Sequence, residues 1–160
     1  MNYQYLDSPI GRLRLVSDGS HLRAIEFEGR HGPTAGDRDV SDPVLRDCAR
    51  QLREYFAGQR KRFELPLSSG GTEFQREVWQ QLVRIPYGDL HTYAQIAAAI
   101  DRPKAVRAVG AANGSNPLPI VVPCHRVIGS DGSLTGFAGG LDAKRRLLEL
   151  EGALPGVGGD

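Results

Sequence analysis

The sequence predicts an α/β (α+β) protein of two lobes. A small antiparallel β-sheet with one helix comes first, then a winged-helix-like lobe with a helix-turn-helix and a cysteine-bearing loop. Three observations predict this. Apolar and polar residues alternate over the first thirty positions, the period of a strand. From Thr72 onward the apolar spacing becomes helical and is punctuated by two capping boxes. Between these regions Leu67-Ser68-Ser69-Gly70-Gly71 forms a Ser/Gly-rich break. The expected domains are therefore 1–68 and 72–152, with a flexible tail over 153–160.

In the first lobe Tyr3, Tyr5, Leu13, Leu15, Ile25 and Phe27 mark a β-meander, with turns at Asp7-Ser8-Pro9 and Asp18-Gly19-Ser20. The polar stretch from His31 to Asp42, rich in Gly, Pro and Asp, reads as a loop. Val44, Leu45, Cys48, Leu52, Tyr55 and Phe56 recur at helical spacing over 43–57, and Gly58 follows as a stop. Cys48 lies on that apolar face, where a free thiol is expected to be buried and structural.

In the second lobe Thr72-Glu73-Phe74-Gln75 opens a helix faced by Phe74, Val78, Leu82 and Ile85, and Pro86-Tyr87-Gly88-Asp89 ends it. Thr92-Tyr93-Ala94-Gln95 opens a second helix to about Ile100. Asp101-Arg102-Pro103 turns the chain, and a third helix runs from about Pro103 to Asn113. Two short helices joined this closely fit a helix-turn-helix, although any three-helix bundle contains such a turn. Ala105, Ala108, Gly110, Ala111 and Ala112 leave little bulk, so the last helix can approach a nucleic-acid backbone closely. It lacks the several Arg, Asn and Gln side chains that usually read base edges, so sequence-tolerant contact is expected, with Arg107 the one large cation in its middle. Further on, Gly129-Ser130-Asp131-Gly132 reads as a hairpin turn and Gly136-Phe137-Ala138-Gly139-Gly140 as a loop suited to close backbone approach. A final helix runs from Leu141 to about Glu151, capped by Gly152.

Composition narrows the class. Hydrophobic residues are 40% and charged residues 24% of 160, an ordinary globular balance. No apolar run approaches the ~20 residues of a membrane span, and the N-terminus has no secretory pattern. Cys48 and Cys124 lie far apart, which is no disulfide framework and fits a reducing compartment. The expected location is cytoplasmic, and nucleoid-associated if the source is bacterial. A net charge of +1 says nothing by itself about nucleic acid. Arg102, Lys104, Arg107 and Arg126, set against Asp101 and Asp131, form a modest basic stripe, so DNA contact should be moderate and salt-sensitive.

The chemistry concentrates in Asn116-Pro117-Leu118-Pro119-Ile120-Val121-Val122-Pro123-Cys124-His125-Arg126-Val127. A thiol beside an imidazole and a guanidinium is placed to ionise, and the thiolate is the nucleophile. The prolines suggest an extended path, on which neighbouring side chains point apart. A water between Cys124 and His125 is then easier than direct contact. Glu151 falls four after Leu147 and three after Leu148, on the apolar face of the last helix, where a carboxylate needs a partner. Cys124, His125 and Glu151 can thus form a nucleophile, base and orienter. An inert thiol with an unrelated Glu–Arg pair is the alternative. The four histidines show no zinc spacing, and no phosphate-binding or dinucleotide-binding glycine loop is present, so no metal and no cofactor are expected.

The run from Asn116 to Val127 resembles the active-site motif of the O6-alkylguanine-DNA alkyltransferases (methylated-DNA–protein-cysteine methyltransferases). The resemblance extends from about Thr72 to Gly152 through Ile85-Pro86-Tyr87-Gly88, Thr92-Tyr93, Arg107-Ala108-Val109-Gly110 and Gly139-Gly140. It implies repair by base flipping and a single transfer of the O6 alkyl group to Cys124. His125, through a water and backed by Glu151, would take the thiol proton. Tyr93 would donate toward guanine N3, and Asn116 would hold the turn before the active-site segment. Among the groups contacting DNA or the flipped base, Arg107 would fill the gap left in the stack, alongside Thr92 and Gly110. The carbonyls of Cys124 and Val127 would accept from the exocyclic amine, Ala138 N–H would face O6, and Phe137 would wall the pocket. The implied partner is duplex DNA carrying O6-alkylguanine, with O4-methylthymine a further candidate, bound by a monomer. Phe137 stands where many members carry Tyr, and Asn113 where some carry a larger apolar residue. Some members bind zinc in the first lobe, which Cys48 alone cannot do. Two other readings are a non-catalytic lesion-binding protein of the alkyltransferase-like type, which Cys124 opposes, and a cysteine hydrolase, which would turn over repeatedly.

Overall fold

The alternating residues near the N-terminus form three strands, β1 (Asn2–Leu6), β2 (Leu13–Ser17) and β3 (Leu22–Phe27). β1 and β2 pair antiparallel with Tyr3 opposite Val16 and Leu6 opposite Leu13; β2 and β3 follow with Leu15 opposite Ile25. This register puts Leu13, Leu15, Leu22 and Ile25 on the buried side. The computed structural model describes residues 1–31, 36–38 and 41–154. It divides the chain into two compact units, Met1–Ser69 and Gly70–Asp160.

The first unit adds a strand where the sequence suggests only loop. β4 (Asp37–Arg38) lies beside β1 in parallel, giving the order β3-β2-β1-β4, so the sheet is not wholly antiparallel. Two exposed polar residues carry no periodicity, and they pair because the edge of β1 offers partners, with Asp37 N–H donating to Met1 O at 2.9 Å. Residues 32–35 and 39–40 of the expected loop, and 155–160 of the expected tail, lie outside the described residues.

Helix α1 (Pro43–Phe56) covers this sheet with Leu45, Cys48, Leu52 and Tyr55, all fully buried. Burial pushes the Cys48 thiol up to about 12, so it is an inert core group. The helix starts where proline at its first position needs no N–H partner. There Asp42 Oδ1 accepts from Val44 N–H at 2.8 Å and Leu45 N–H at 3.1 Å. Asp42 Oδ2 accepts from Asn2 Nδ2 at 2.9 Å, which ties the cap to β1. Burial raises the Asp42 carboxyl, but the bonds from Asn2, Leu45, Ser17 and Val44 outweigh it and hold the group below its usual range.

The second unit begins with α2 (Glu73–Val83), followed by β5 (His91–Thr92), α3 (Tyr93–Ala99) and α4 (Val106–Gly114). Both capping boxes close reciprocally. Thr72 Oγ1 accepts from Gln75 N–H at 3.1 Å while Gln75 Oε1 accepts from Thr72 N–H at 2.9 Å. Thr92 and Gln95 repeat the pattern at 3.1 and 2.8 Å. α4 begins later than its sequence suggests, because the residues after Arg102 first close a turn, with Ala105 N–H donating to Arg102 O at 2.9 Å. Small residues on α4 serve packing as well as exposure. Ala112 and Val109 are buried, and Trp79 of α2 reaches over to donate to Ala112 O at 2.8 Å. Arg107, Ala108 and Ala111 stay exposed.

A 3₁₀ turn (Cys124–Arg126), β6 (Val127–Ile128) and α5 (Leu141–Leu150) complete the unit. β6 pairs in parallel with β5, His91 opposite Val127. The Gly129–Gly132 turn forms, with Gly132 N–H donating to Gly129 O at 2.9 Å, but it does not join a hairpin. Among the described residues that sheet holds only β5 and β6, and residues 133–137 leave the turn as coil.

Asp42→Ala should cost about 1–2 kcal/mol of stability, the usual loss for an N-cap. Urea unfolding of the two proteins measures it, and superimposable curves would contradict the capping role.

Candidate active site

Cys124, His125 and Arg126 sit on a single tight turn, not on the extended path that the prolines suggest. Proline fixes φ but leaves the chain free to turn. Here Cys124 N–H donates to Val122 O at 2.8 Å and Arg126 N–H to Pro123 O at 3.1 Å. The reversal before it is strained: Ile120, 1% exposed and β-branched, has a φ of +74°. Such a conformation costs about 1–3 kcal/mol and persists only when its surroundings hold it. Asn116 holds it, donating from Nδ2 to Val122 O at 2.8 Å and accepting Leu118 N–H on Oδ1 at 3.0 Å. Asn113, also from the end of α4, donates to Cys124 O at 3.3 Å.

The turn aims two side chains at one carboxylate. Glu151 closes the C-terminus of α5, where its side chain is fully buried. Its Oε2 lies 2.7 Å from His125 Nε2 and accepts from Arg126 Nη2 at 3.0 Å, while Oε1 accepts from Arg126 Nε at 2.7 Å. The remaining guanidinium nitrogen, Nη1, donates to Ile85 O at 2.7 Å. The Glu–Arg pair and the Glu–His pair, alternatives in the sequence, are one cluster. The loop after α2 encloses it. Tyr87 donates to Leu150 O at 3.3 Å, with Arg126 5.7 Å from its ring centre. Gly88 has a φ of +88° and passes so near Glu151 that a Cβ would lie 3.3 Å from its carbonyl oxygen. This accounts for Ile85-Pro86-Tyr87-Gly88.

The electrostatics assign protons. Burial raises the Glu151 carboxyl, but the hydrogen bonds from His125 and Arg126 and the charge of Arg126 overcome that and bring it down to about 2. Burial also pushes the His125 imidazole below its usual value, more than Glu151 raises it, so the ring is neutral near pH 7. A neutral imidazole facing a carboxylate keeps its proton on the shared nitrogen, Nε2. The lone pair therefore sits on Nδ1, which has no hydrogen-bond partner among the described residues. Burial pushes the Cys124 thiol up to about 11, opposed by Asn116 and by the charge of Lys144. The set is a protonated thiol with an unprotonated ring nitrogen on the adjacent residue, and no hydrogen bond joins them directly.

Lys144 is the functional-looking residue that the sequence reading missed. It is fully buried and, among the described residues, its ammonium meets carbonyl oxygens and no carboxylate. Its Nζ donates to Val127 O at 2.6 Å and Thr135 O at 2.7 Å. Burial lowers it to about 8, with the nearby Cys124 pulling the other way. Spacing could have found it. Lys144 precedes Leu147, Leu148 and Glu151 by three, four and seven residues, the same helix face that singled out Glu151.

The remaining positions scatter around this core. The Tyr93 hydroxyl meets Thr135, and Gly110 lies beside the Tyr93 ring, 4.0 Å from where its Cβ would be. The Thr92 hydroxyl is spent on the helix cap, Val127 offers its carbonyl to Lys144, and Arg107 is exposed on α4. Phe137 is half-buried and Ala138 exposed in the turn closed by Gly140 N–H to Phe137 O at 2.9 Å. Among the described residues no three His, Cys, Asp or Glu side chains gather as metal ligands, and no helix is long and apolar enough to cross a membrane.

Stability should carry the signature of Glu151. Its folded carboxyl lies below the ordinary 4.5, so its contribution is full above that pH and is lost as pH falls from 4.5 toward about 2. Glu151→Gln leaves Arg126 buried without a counter-charge, which should cost roughly 3–5 kcal/mol at neutral pH. It should also flatten the decline between those pH values. Denaturant midpoints across pH measure both, and parallel curves for the two proteins would contradict the assignment.

Known proteins match both units. Residues 1–69 match the 6-O-methylguanine DNA methyltransferase ribonuclease-like domain, and 73–153 the DNA binding domain of the same name. A Bacillus subtilis constitutive methylated-DNA–protein-cysteine methyltransferase is 60% identical over 155 residues, covering 93% of this chain and 94% of its own. A Methanosarcina acetivorans methylated-DNA–protein-cysteine methyltransferase is 48% identical, covering 96% and 99%. The crystal structure of Mycobacterium tuberculosis OGT in complex with DNA superimposes with a TM-score of 0.89 at 45% identity, covering 96% of this chain and 94% of that one. With both domain models matched in order and relatives this similar along nearly their whole length, the chain belongs to the O6-methylguanine DNA methyltransferase family.

Proposed function

We propose that this protein repairs DNA by moving the alkyl group of O6-alkylguanine onto its own Cys124, once per molecule. The observation that carries the proposal is the buried turn in which Cys124 adjoins His125, with His125 Nε2 held by Glu151 at 2.7 Å. That contact leaves Nδ1 as the basic nitrogen, and a water between Nδ1 and Sγ completes the path for the thiol proton. Base assistance matters because burial alone keeps the thiol protonated.

The flipped base is bound by groups around the turn. Val127 O holds one donor already, Lys144, and Cys124 O holds two, the Val127 N–H and the Asn113 side chain at 3.3 Å. A carbonyl has two lone pairs, so Val127 O can also accept from the exocyclic amine, and Cys124 O can do so by exchanging the long bond from Asn113 for it. Ala138 N–H faces O6 and Phe137 walls the pocket. Arg107, exposed on α4, fills the space left in the duplex, while Thr92 and Gly110 lie where the strand passes. Flipping costs a few kcal/mol, less for a poorly paired base, which favours lesions. The thiolate attacks the alkyl carbon, the C–O6 bond breaks, and its electron pair returns to the guanine. Tyr93 donates toward N3 as that charge develops. The product thioether is a poor leaving group, and the other cysteine, Cys48, is buried in the first unit's core, so the group stays on Cys124.

Incubation with duplex DNA containing O6-methylguanine should add one methyl group, in place of a proton, to intact protein. Peptide mapping should put it on Cys124; no gain, or a gain elsewhere, would overturn the proposal. Arg107→Ala should slow reaction with the duplex roughly tenfold or more, and leave reaction with the free base O6-methylguanine nearly unchanged, since only the duplex requires flipping. Equal losses on both substrates would remove that role.

A further inference from the structure

We infer that Thr135 is a positioning residue for this reaction, holding and polarising the Tyr93 hydroxyl that protonates the departing base. The inference rests on the proposed function, in which Tyr93 donates toward N3. It comes from a two-way contact that the reaction as described leaves unused. Thr135 Oγ1 donates to Tyr93 Oη at 3.1 Å, and Tyr93 Oη in turn donates to Thr135 O at 3.2 Å. The same carbonyl accepts from Lys144 Nζ at 2.7 Å, and that ammonium lies 6.0 Å from the centre of the Tyr93 ring.

The arrangement allows Tyr93 to change partners at little cost. In the resting protein Thr135 O holds two donors, which fills its two lone pairs. When a base enters, Tyr93 turns its O–H from that carbonyl to N3. Thr135 O keeps the Lys144 ammonium, so no acceptor is stranded beside the bound base. The Thr135 hydroxyl meanwhile continues to donate to Tyr93 Oη. As the C–O6 electron pair passes to guanine, the Tyr93 proton is drawn toward N3 and Oη gains negative character. A donor already aimed at Oη stabilises that charge, because hydrogen bonds in a chain polarise one another. The Thr135 proton stays on Oγ1 throughout, and nothing is consumed. Lys144 acts behind this pair. By bridging Val127 O and Thr135 O it fixes the coil after β6 to β6 itself, so Thr135 stays opposite Tyr93.

A residue that merely pins the coil would affect binding and folding alike, whereas a polarising hydroxyl affects the transfer step through Tyr93 alone. Thr135 is exposed, so Thr135→Val, which keeps the shape and removes the hydroxyl, should fold normally. With protein in excess over O6-methylguanine duplex, the DNA dissociation constant and the first-order transfer rate are measured separately. Thr135→Val should slow transfer roughly three- to tenfold, the worth of one hydrogen bond, with DNA affinity unchanged. Thr135→Ser should restore the rate. In a Tyr93→Phe background Thr135→Val should cause no further loss. An unchanged rate in Thr135→Val, or the same loss with and without the Tyr93 hydroxyl, would overturn the inference while leaving Tyr93 as donor. A full rate in Tyr93→Phe would remove the Tyr93 assignment and the inference with it.

Discussion

A carboxylate that has left water must be held by something, and much of the second unit is built around holding Glu151. Arg126 grips both of its oxygens, His125 shares one of them, and the loop from Ile85 to Gly88 closes over the end of α5. The attraction between these charges offsets a large desolvation cost only because the geometry is so complete. One ion cluster thereby fixes the turn that carries Cys124, the tautomer of His125 and the end of a helix. Its chemistry and its stability are the same interaction seen from two sides, so substitutions here will be hard to interpret from activity alone.

A second constraint is the backbone around the thiol. Ile120 occupies a conformation that its side chain disfavours, and Asn113 in the last turn of α4 and Asn116 just beyond it brace the chain around it. Lys144 braces the other flank through carbonyls instead of charge partners. In the proposed reaction two of the braced carbonyls, Cys124 O and Val127 O, are also the acceptors that recognise the base. Binding groups held by fixed donors need little rearrangement when the base arrives, which is how a site of backbone oxygens becomes specific.

Local rules carried much of the fold. Alternation located three strands, and the two Thr-x-x-Gln boxes located the starts of α2 and α3, because each depends on residues a few positions apart. β4 escaped, since Asp37 and Arg38 pair only because an edge lies beside them. The 3₁₀ turn escaped for a similar reason: prolines restrict φ, while the turn is held by side-chain bonds from Asn116, six residues before Val122, and from Asn113 on α4. At the site, helical spacing pointed to Glu151 and, by the same logic, should have pointed to Lys144. That Glu151 serves Arg126 and His125 together is a tertiary fact that no single stretch records.

Cys124 as an acceptor, not a recycling nucleophile, is tested most directly by counting transfers. The protein is mixed with lesion-bearing duplex in excess, and restored guanine is followed until it stops. An acceptor gives a plateau at one guanine per protein molecule, matched by one alkyl group on Cys124. Repair that continues beyond that plateau would mean that the group is released, and would contradict the account.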